Sequence, residues 1–298
     1  MKLGYVGLGK MGLNMVERLL EKGHEVVAFD RNRVAVIEAR RRGTLSAETL
    51  AGVVAALPLP RLIWVMVPYG AVDAVLGELV PVLAAGDTVI DGGNSPYKES
   101  IRRFGELAAK GINLLDVGVS GGPAGARKGA CIMVGGKHEV FLRFERLFAD
   151  LSVEKGYGYM GKAGAGHFVK MVHNGIEYGM MQALAEGFAV LKAAPFGLDL
   201  RNVADLYDHA SVIESRLVSW LKAAYELHGE ELLDISGTVE QSGEGAWTVE
   251  AGKELSVPTP VIDDALRFRL RSREAPSYAG KVLSALRSQF GGHDVRGK

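Results

Sequence analysis

The sequence has one cysteine, no net charge and no long uninterrupted apolar run. Cys131 alone forms neither an internal disulfide nor a multi-cysteine metal site, and we expect it to be a small buried residue. The basic and acidic residues are equal in number, 35 of each, which removes the electrostatic argument for nucleic acid or an anionic membrane as a partner. The richest apolar stretch, 53–68, is interrupted by Pro58, Pro60 and Arg61, so we expect no membrane span.

Two further absences concern targeting and metals. The N-terminal segment passes from one lysine into a short apolar run and a glycine cluster, without the long apolar region or cleavage site of a signal peptide, which predicts a cytoplasmic protein. The seven histidines have no cysteine or carboxylate partners at zinc-site spacing, so we expect no metal.

Glycine, by contrast, is abundant: it accounts for 39 of 298 residues, nearly twice the usual share of about 7%. The first half alternates short apolar strands with helical patterns, which predicts a Rossmann-type α/β domain with a doubly wound parallel sheet. The strands are predicted at 3–6, 25–29, 62–67, 88–90, 114–117 and 132–134. After Gly164 the strand signals stop, and helices are predicted at 166–193, 203–227 and 259–271. The glycine-rich stretch 156–166 is read as the linker between a dinucleotide-binding domain, 1–160, and an all-α substrate-binding and oligomerisation domain with a C-terminal tail, 161–298.

A glycine turn follows the first predicted strand. The turn Gly7-Leu8-Gly9-Lys10-Met11-Gly12 fits the GxGxxG pattern and opens an amphipathic helix, where Gly7 permits the turn, Gly9 admits a pyrophosphate and Gly12 lets the helix pack closely. Eighteen residues beyond it, Asp30 ends the second strand, where a carboxylate accepts hydrogen bonds from a ribose diol. The alternative is a purely structural turn, but the combination favours dinucleotide binding.

The choice between NAD and NADP depends on Asp30 and Arg31. The carboxylate repels a 2′-phosphate, whereas the guanidinium is able to pair with one. Because the acid lies at the strand end, we predict that NAD is preferred and that NADP is possible.

A polar stripe follows one side of the predicted helix 166–193. At 100° per residue, Lys170, His173, Asn174 and Glu177 fall within an arc of about 100°. Phe168, Val172, Ile176 and Ala183, with Gly175 and Gly179, lie opposite and are expected to be packed. The stripe is then either a solvated face with an ordinary Lys/Glu pair or a set of acid, base and orienting groups, and Tyr178 beside it favours the second reading.

Two further glycine turns follow predicted strands. Asp91-Gly-Gly-Asn-Ser95 and Val119-Ser-Gly-Gly-Pro123 should both lie at the carboxyl edge of the sheet, where ligands bind. Their amides and side chains suit a carboxylate or a nicotinamide ribose, although each turn read singly could be structural.

The sequence resembles the decarboxylating 6-phosphogluconate dehydrogenases, in a short bacterial form without the duplicated helical half. The resemblance is carried by the motifs GLGKMG, DGGNS, GVSGGPAGARKG, GAGHFVKMVHNGIEYG and FGGH. The resemblance implies that 6-phospho-D-gluconate is oxidised and decarboxylated to D-ribulose 5-phosphate and CO₂ in the pentose phosphate pathway. It makes Lys170 the general base and Glu177 the acid that protonates the enediol, with Asn174 and His173 orienting the substrate. It also implies that the chain assembles as a homodimer or homotetramer with shared active sites.

The same resemblance implies the binding residues. Cofactor contacts are expected from the glycine turn, Asp30, Arg31, Val67 and Asn94. Substrate contacts are expected from Asn94, Ser120, Gly121, Gly122, His173, Asn174, Tyr178 and Arg269, and from Arg287 and His293 of a neighbouring subunit.

The sequence departs from the family at two places. Ser242 stands where the long form has a phosphate-binding lysine, so Lys253 or Arg273 is a candidate to bind the phosphate instead. The segment Phe29-Asp30-Arg31-Asn32 differs from the pattern of the NADP-using members. Two rival functions stay open: a β-hydroxyacid dehydrogenase for a small unphosphorylated acid, and a dinucleotide sensor without turnover.

Overall fold

The computed structural model of the chain describes residues 1–292 and 295. The chain divides into two compact units, Met1–Lys170 and Met171–Lys298, and the division falls inside one long helix.

The first unit is built on a sheet of eight strands in the order β3-β2-β1-β4-β5-β6-β7-β8. The strands are β1 (Lys2–Val6), β2 (Glu25–Phe29), β3 (Leu45–Ser46), β4 (Leu62–Val65), β5 (Thr88–Asp91), β6 (Asn113–Ser120), β7 (Ala130–Gly136) and β8 (Ser152–Gly161). The helices between them are α1 (Lys10–Glu21), α2 (Arg33–Arg41), α3 (Leu50–Ala55), α4 (Tyr69–Leu79), α5 (Tyr97–Ala108), α6 (Gly122–Lys128), α7 (His138–Arg143) and α8 (Glu145–Leu151).

Alternation along the strands divides the core of this unit into two layers. Leu3 and Trp64 pack on one side of the sheet, and Val6 and Val65 pack on the other. Strands β1 to β6 are parallel, so their carboxyl ends share one edge, as predicted.

The sheet differs from the prediction at its far edge. Strand β7 runs antiparallel to β6, and the stretch read as a linker is the edge strand β8. Gly156 is closely packed there, since an added Cβ would lie 2.6 Å from the Val153 side chain and 3.0 Å from the Ala130 carbonyl oxygen. Cys131, expected to be buried, is exposed and lies opposite Ser120 in the β6–β7 register, at the open end of that pair.

The second unit is helical. Helix α9 (Ala165–Ala193) begins in the first unit and continues into the second, followed by α10 (Leu200–Tyr207), α11 (Arg216–His228), α12 (Glu244–Glu254), α13 (Pro260–Arg271) and α14 (Tyr278–Gly291). The single helix predicted at 203–227 is two helices, because the connecting residues 208–215 form turns and Ser215 caps α11. The core of this unit includes Met181, Phe188, Leu221 and Leu286.

Among the described residues, no helix combines the length and the apolar character needed to cross a membrane.

Candidate active site

Each glycine of the first turn has a different environment. Gly7 adopts φ 101°, and a Cβ there would lie 2.2 Å from the Met66 carbonyl oxygen. A Cβ on Gly12 would lie 2.0 Å from the Gly7 carbonyl oxygen, so α1 closes tightly on the turn. Gly9 faces open space, since no atom lies within 4 Å of a Cβ placed there. These environments match what a pyrophosphate-binding turn requires.

Asp30 fixes the turn as well as ending β2. Its Oδ2 accepts a hydrogen bond from the Leu8 amide at 2.6 Å, and its Oδ1 accepts one from the Asn32 amide at 2.7 Å. Each oxygen keeps a lone pair for a further donor, so the carboxylate is able to receive a ribose diol while it holds the loop.

A cavity of about 320 Å³ opens beside Asp30 at the ends of β2 and β3. Its apolar floor includes Phe29 and Ile37. Polar side chains around it that the sequence reading missed are Arg33, Arg40, Ser46 and Glu48. Arg31 also lines it and forms a surface ion pair with Glu78, 3.5 Å between NH2 and Oε1. Arg33 and Arg40 are seven residues apart on α2, a spacing that could have revealed their common face.

The two later turns lie at the carboxyl ends of β5 and β6. Asn94 is exposed at the tip of the first, while the neighbouring Asp91 and Ser95 are buried beneath it. Ser120 ends β6, and Gly121 follows with φ 125°, which a side chain would strain.

Lys170 is held at the beginning of α9. The buried Asp116 of β6 accepts hydrogen bonds from the amides of Gly164 at 2.7 Å and His167 at 2.9 Å, which fixes the first turn of the helix. A Cβ on Gly118 would lie 2.4 Å from the Lys170 Cβ, so β6 must have glycine where the lysine packs on it. The lysine side chain is buried.

The polar stripe of α9 continues beyond Lys170. His173 Nδ1 lies 3.0 Å from Asn174 Oδ1 and 3.9 Å from Glu177 Oε2. These half-buried groups form a connected set of acid, amide and imidazole on one helix face.

The opposite side of α9 is packed differently from the prediction. Gly175 and Gly179 are buried against α12 and α13, where a Cβ would lie 2.6 Å from Thr248 and 3.2 Å from Val261. Ile176, however, is 53% exposed, and Ala183 is also exposed. Because α9 is apolar on nearly all sides, its periodicity does not distinguish the packed face from an exposed apolar face.

A buried cationic cluster lies on the second unit. The guanidinium carbon of Arg269 is 3.3 Å from the centroid of the Tyr178 ring, and NH2 lies 3.7 Å from the Met181 sulfur. Arg269 is only 2% exposed, and burial lowers its pKa to about 10, an effect reinforced by the nearby Arg287. Burial also lowers the pKa of Arg287. Within the described chain, neither arginine forms a salt bridge, although the charges of Glu177 and Glu244 act on both and partly offset the effect of burial on their pKa. The buried Tyr178 hydroxyl has no hydrogen-bond partner.

Arg287 is buried on α14, where its charge acts on that of the nearby Arg269. Helix α14 packs into the core of its own unit through Leu283 and Leu286. The contribution of Arg287 to the site of a neighbouring subunit, which the family resemblance implies, stays a prediction. His293 lies outside the described residues. The two alternative cations, Lys253 and Arg273, are exposed.

No group of three or more histidine, cysteine or carboxylate side chains in 1–292 and at 295 is placed to hold a metal ion.

Two family models match the two parts of the chain. The NAD binding domain of 6-phosphogluconate dehydrogenase matches residues 2–161, and the 6-phosphogluconate dehydrogenase C-terminal domain matches residues 166–294. The chain belongs to the 6-phosphogluconate dehydrogenase family. This confirms the predicted family, the Rossmann-type sheet followed by a helical domain, and the class of enzyme, an NAD(P)-dependent oxidoreductase.

Similar proteins include members of the same length. A Bacillus subtilis protein provisionally named 6-phosphogluconate dehydrogenase is 48% identical over 298 residues, covering 100% of both chains. An NAD(+)-dependent, decarboxylating 6-phosphogluconate dehydrogenase of Haloferax volcanii is 42% identical, covering 100% of this chain and 99% of the other. The solved 6-phosphogluconate dehydrogenase of Plasmodium falciparum is longer: with a TM-score of 0.81 and 29% identity, the match covers 91% of this chain and 62% of that one.

Proposed function

We propose that this protein converts 6-phospho-D-gluconate to D-ribulose 5-phosphate and CO₂ with reduction of NAD, as a step of the pentose phosphate pathway. The observation that carries the proposal is the buried Arg269–Arg287–Tyr178 cluster. Two buried cations that form no salt bridge within the described chain, together with an unpartnered hydroxyl, suit a phosphate dianion, which an unphosphorylated acid does not supply.

The cofactor would be held by the glycine turn, Asp30, Arg31, Val67 and Asn94, and when bound it accepts the hydride from C3 of the substrate. The open space at Gly9 and the free lone pairs of Asp30 fit a dinucleotide. Arg33 and Glu48 line the cavity beside Asp30, where the adenosine half of the cofactor would lie.

Lys170 takes the proton of the 3-hydroxyl as the C3 hydride leaves, so that the alcohol becomes a ketone. Its burial against Gly118 supports this role, because a packed lysine keeps a fixed position. The product is a β-keto acid, whose ketone accepts the electron pair released when the bond to CO₂ breaks.

Glu177 then donates a proton to C1 of the resulting enediol. It stands seven residues, about 10 Å, further along the same helix than Lys170, which separates the base from the acid. His173 and Asn174 lie between them and orient the substrate hydroxyls. Ser120, Gly121 and Gly122 hold the carboxylate until it leaves.

The cofactor preference is for NAD, with NADP as a second cofactor. Asp30 supports this preference because its carboxylate stands where a 2′-phosphate would approach. The name of the Haloferax relative, which specifies NAD(+), agrees with it. Arg31 is already paired with Glu78, which weakens its attraction for a 2′-phosphate.

A homo-oligomer is proposed from the exposed apolar side of α9. Ile176, Met180, Ala183, Gly187 and Val190 are all exposed and follow one another at alternating spacings of four and three residues, the pattern of a helix–helix seam. A second copy of the chain would cover it. Active sites shared between copies through Arg287 and His293 stay a prediction of the family resemblance, as does a cytoplasmic location.

A substrate panel tests the proposal. NADH formation is measured with 6-phosphogluconate, gluconate and 3-hydroxyisobutyrate under identical conditions. We expect kcat/KM for 6-phosphogluconate to exceed the other two by at least 100-fold. Equal or higher values for an unphosphorylated acid would favour the rival β-hydroxyacid dehydrogenase, and no turnover with any of them would favour a sensor.

A further inference from the structure

A buried ionic network lies beneath the turn that carries Asn94. Asp91 ends β5, and its Oδ1 accepts a hydrogen bond from the Gly93 amide at 3.1 Å while its Oδ2 accepts one from Ser95 Oγ at 2.8 Å. A Cβ on Gly93 would lie 2.7 Å from the Val67 carbonyl oxygen. The turn after β5 is therefore pressed against the residues that follow β4.

Arg103 of α5 lies at the centre of this network and is 1% exposed. Its NH1 donates to Asp91 Oδ2 at 3.3 Å and to Ser95 Oγ at 3.1 Å. Nε and NH2 donate to the two oxygens of Asp73 at 2.8 and 3.2 Å, and NH2 also reaches the Tyr69 carbonyl oxygen at 3.4 Å. All three nitrogens of the guanidinium therefore form hydrogen bonds. The hydrogen bond from Arg103 makes the largest contribution to lowering the pKa of Asp73 to about 2.

The partners of Arg103 come from two different turns. Tyr69 and Asp73 belong to the start of α4, two residues after Val67, whereas Asp91 is the last residue of β5 and Ser95 belongs to the turn that follows it. One planar cation bonded to a carboxylate from each side sets the spacing between these turns. Lysine, with a single ammonium group, lacks the fork that reaches both carboxylates.

We propose that Arg103 is a positioning residue that holds the Asn94 turn against the turn after β4 and thereby sets the rate of hydride transfer. This rests on the proposed function, in which Val67 and Asn94 contact the cofactor that accepts the hydride. A shift of about 1 Å between groups that orient reactants lowers a rate by about 100-fold.

The chain supplies a matched control on the same helix. Arg102 also donates to Asp73, at 2.9 Å, but its side chain is 41% exposed and its other bonds, to Glu99 and Glu106, lie on the surface. Arg103→Lys is therefore compared with Arg102→Gln, and Ser95→Ala serves as a milder change to the same network. Circular dichroism selects a temperature at which all variants are folded.

The readouts are kcat, KM for both substrates and the isotope effect with 6-phosphogluconate deuterated at C3. We expect Arg103→Lys to lower kcat by at least tenfold and to increase the isotope effect, with less than a threefold change in KM. Ser95→Ala should lower kcat by several-fold. Arg102→Gln should stay within twofold of wild type. Values for Arg103→Lys and Ser95→Ala within twofold of Arg102→Gln would overturn the proposal, and if Arg103→Lys does not fold, Ser95→Ala decides.

Hydrogen exchange separates this proposal from the proposed function. If wild type fails to oxidise 6-phosphogluconate, the proposed function is wrong, and the amides of 66–70 and 92–95 still report the arrangement of the turns. Loss of protection in both segments of Arg103→Lys, but not of Arg102→Gln, would support the positioning role. Unchanged protection in both would contradict it.

Discussion

Replacing Arg269 with methionine should weaken substrate binding without weakening the fold. Burial lowers the pKa of this guanidinium from its usual range to about 10, so at every pH below about 10 its charge destabilises the folded state. At about 1.4 kcal/mol per pKa unit, the penalty is about 3 kcal/mol. Methionine removes it and forfeits a cation–π contact with Tyr178 of about 1–2 kcal/mol. The free energy of unfolding of the unliganded enzyme should therefore stay the same or rise by about 1–2 kcal/mol.

The effect on phosphate binding has the opposite sign. Two charge-assisted hydrogen bonds from one buried guanidinium contribute at least about 3 kcal/mol, so KM for 6-phosphogluconate should rise by more than about 100-fold. KM for gluconate and for NAD should change little.

Steady-state kinetics and thermal unfolding of Arg269→Met test both halves of this argument. The control is Arg267→Met on the same helix, whose 63% exposed side chain pairs with Asp263 at 2.7 Å and should affect neither quantity. Adding 6-phosphogluconate without NAD should raise the Tm of wild type and of Arg267→Met but not of Arg269→Met. A lower Tm for Arg269→Met together with an unchanged KM would refute the reasoning, since it would make the arginine a structural residue.

The other predictions concern the chemistry, the cofactor and the assembly. Lys170→Met should slow NADH formation by about 10²–10⁴-fold. Glu177→Gln should slow ribulose 5-phosphate formation by a similar factor, because protonation of the enediol becomes slow, and single-turnover measurements with chemical quenching would show this. An equal loss of NADH formation in both variants would contradict the division of roles. Asp30→Ala should shift the ratio of kcat/KM toward NADP by about 1–3 kcal/mol, roughly 5- to 150-fold, and should also raise KM for both cofactors because the Leu8 amide loses its acceptor. A wild type that already prefers NADP would show that Arg31 decides. Ile176→Asp should convert an oligomer to smaller species in light scattering, whereas an unchanged mass would place the interface elsewhere.

The strands of the first unit were predictable because buried parallel strands are short apolar runs. The run Glu25–Phe29 and the apolar part of β4 show this directly. Strand β8 was not predictable, because a glycine-rich stretch is typical of a linker. In this strand the glycines allow close packing instead. Strand β3, with two residues, is too short to show any period.

The arrangement of the candidate site was predictable where its residues are neighbours in sequence, although the roles of these residues stay predictions. The spacing of Lys170 to Glu177 on one helix is an example. The cationic cluster joins Tyr178 to Arg269, 91 residues later, and only the family resemblance related them before the structure brought them together. The bonds of Arg103 to Asp73 and Asp91 have no sequence signal, because opposite charges at such separations are common in any soluble chain.

The ratio of CO₂ to NADH tests the central claim most directly. The purified enzyme is supplied with 6-phosphogluconate labelled with ¹³C at C1 and with NAD, and labelled CO₂ and NADH are measured over the same time course. Oxidation at C3 followed by loss of C1 predicts one CO₂ for each NADH, with ribulose 5-phosphate accumulating in the same amount. NADH formed without labelled CO₂ would contradict the account, since it would make the protein a dehydrogenase that does not decarboxylate its substrate.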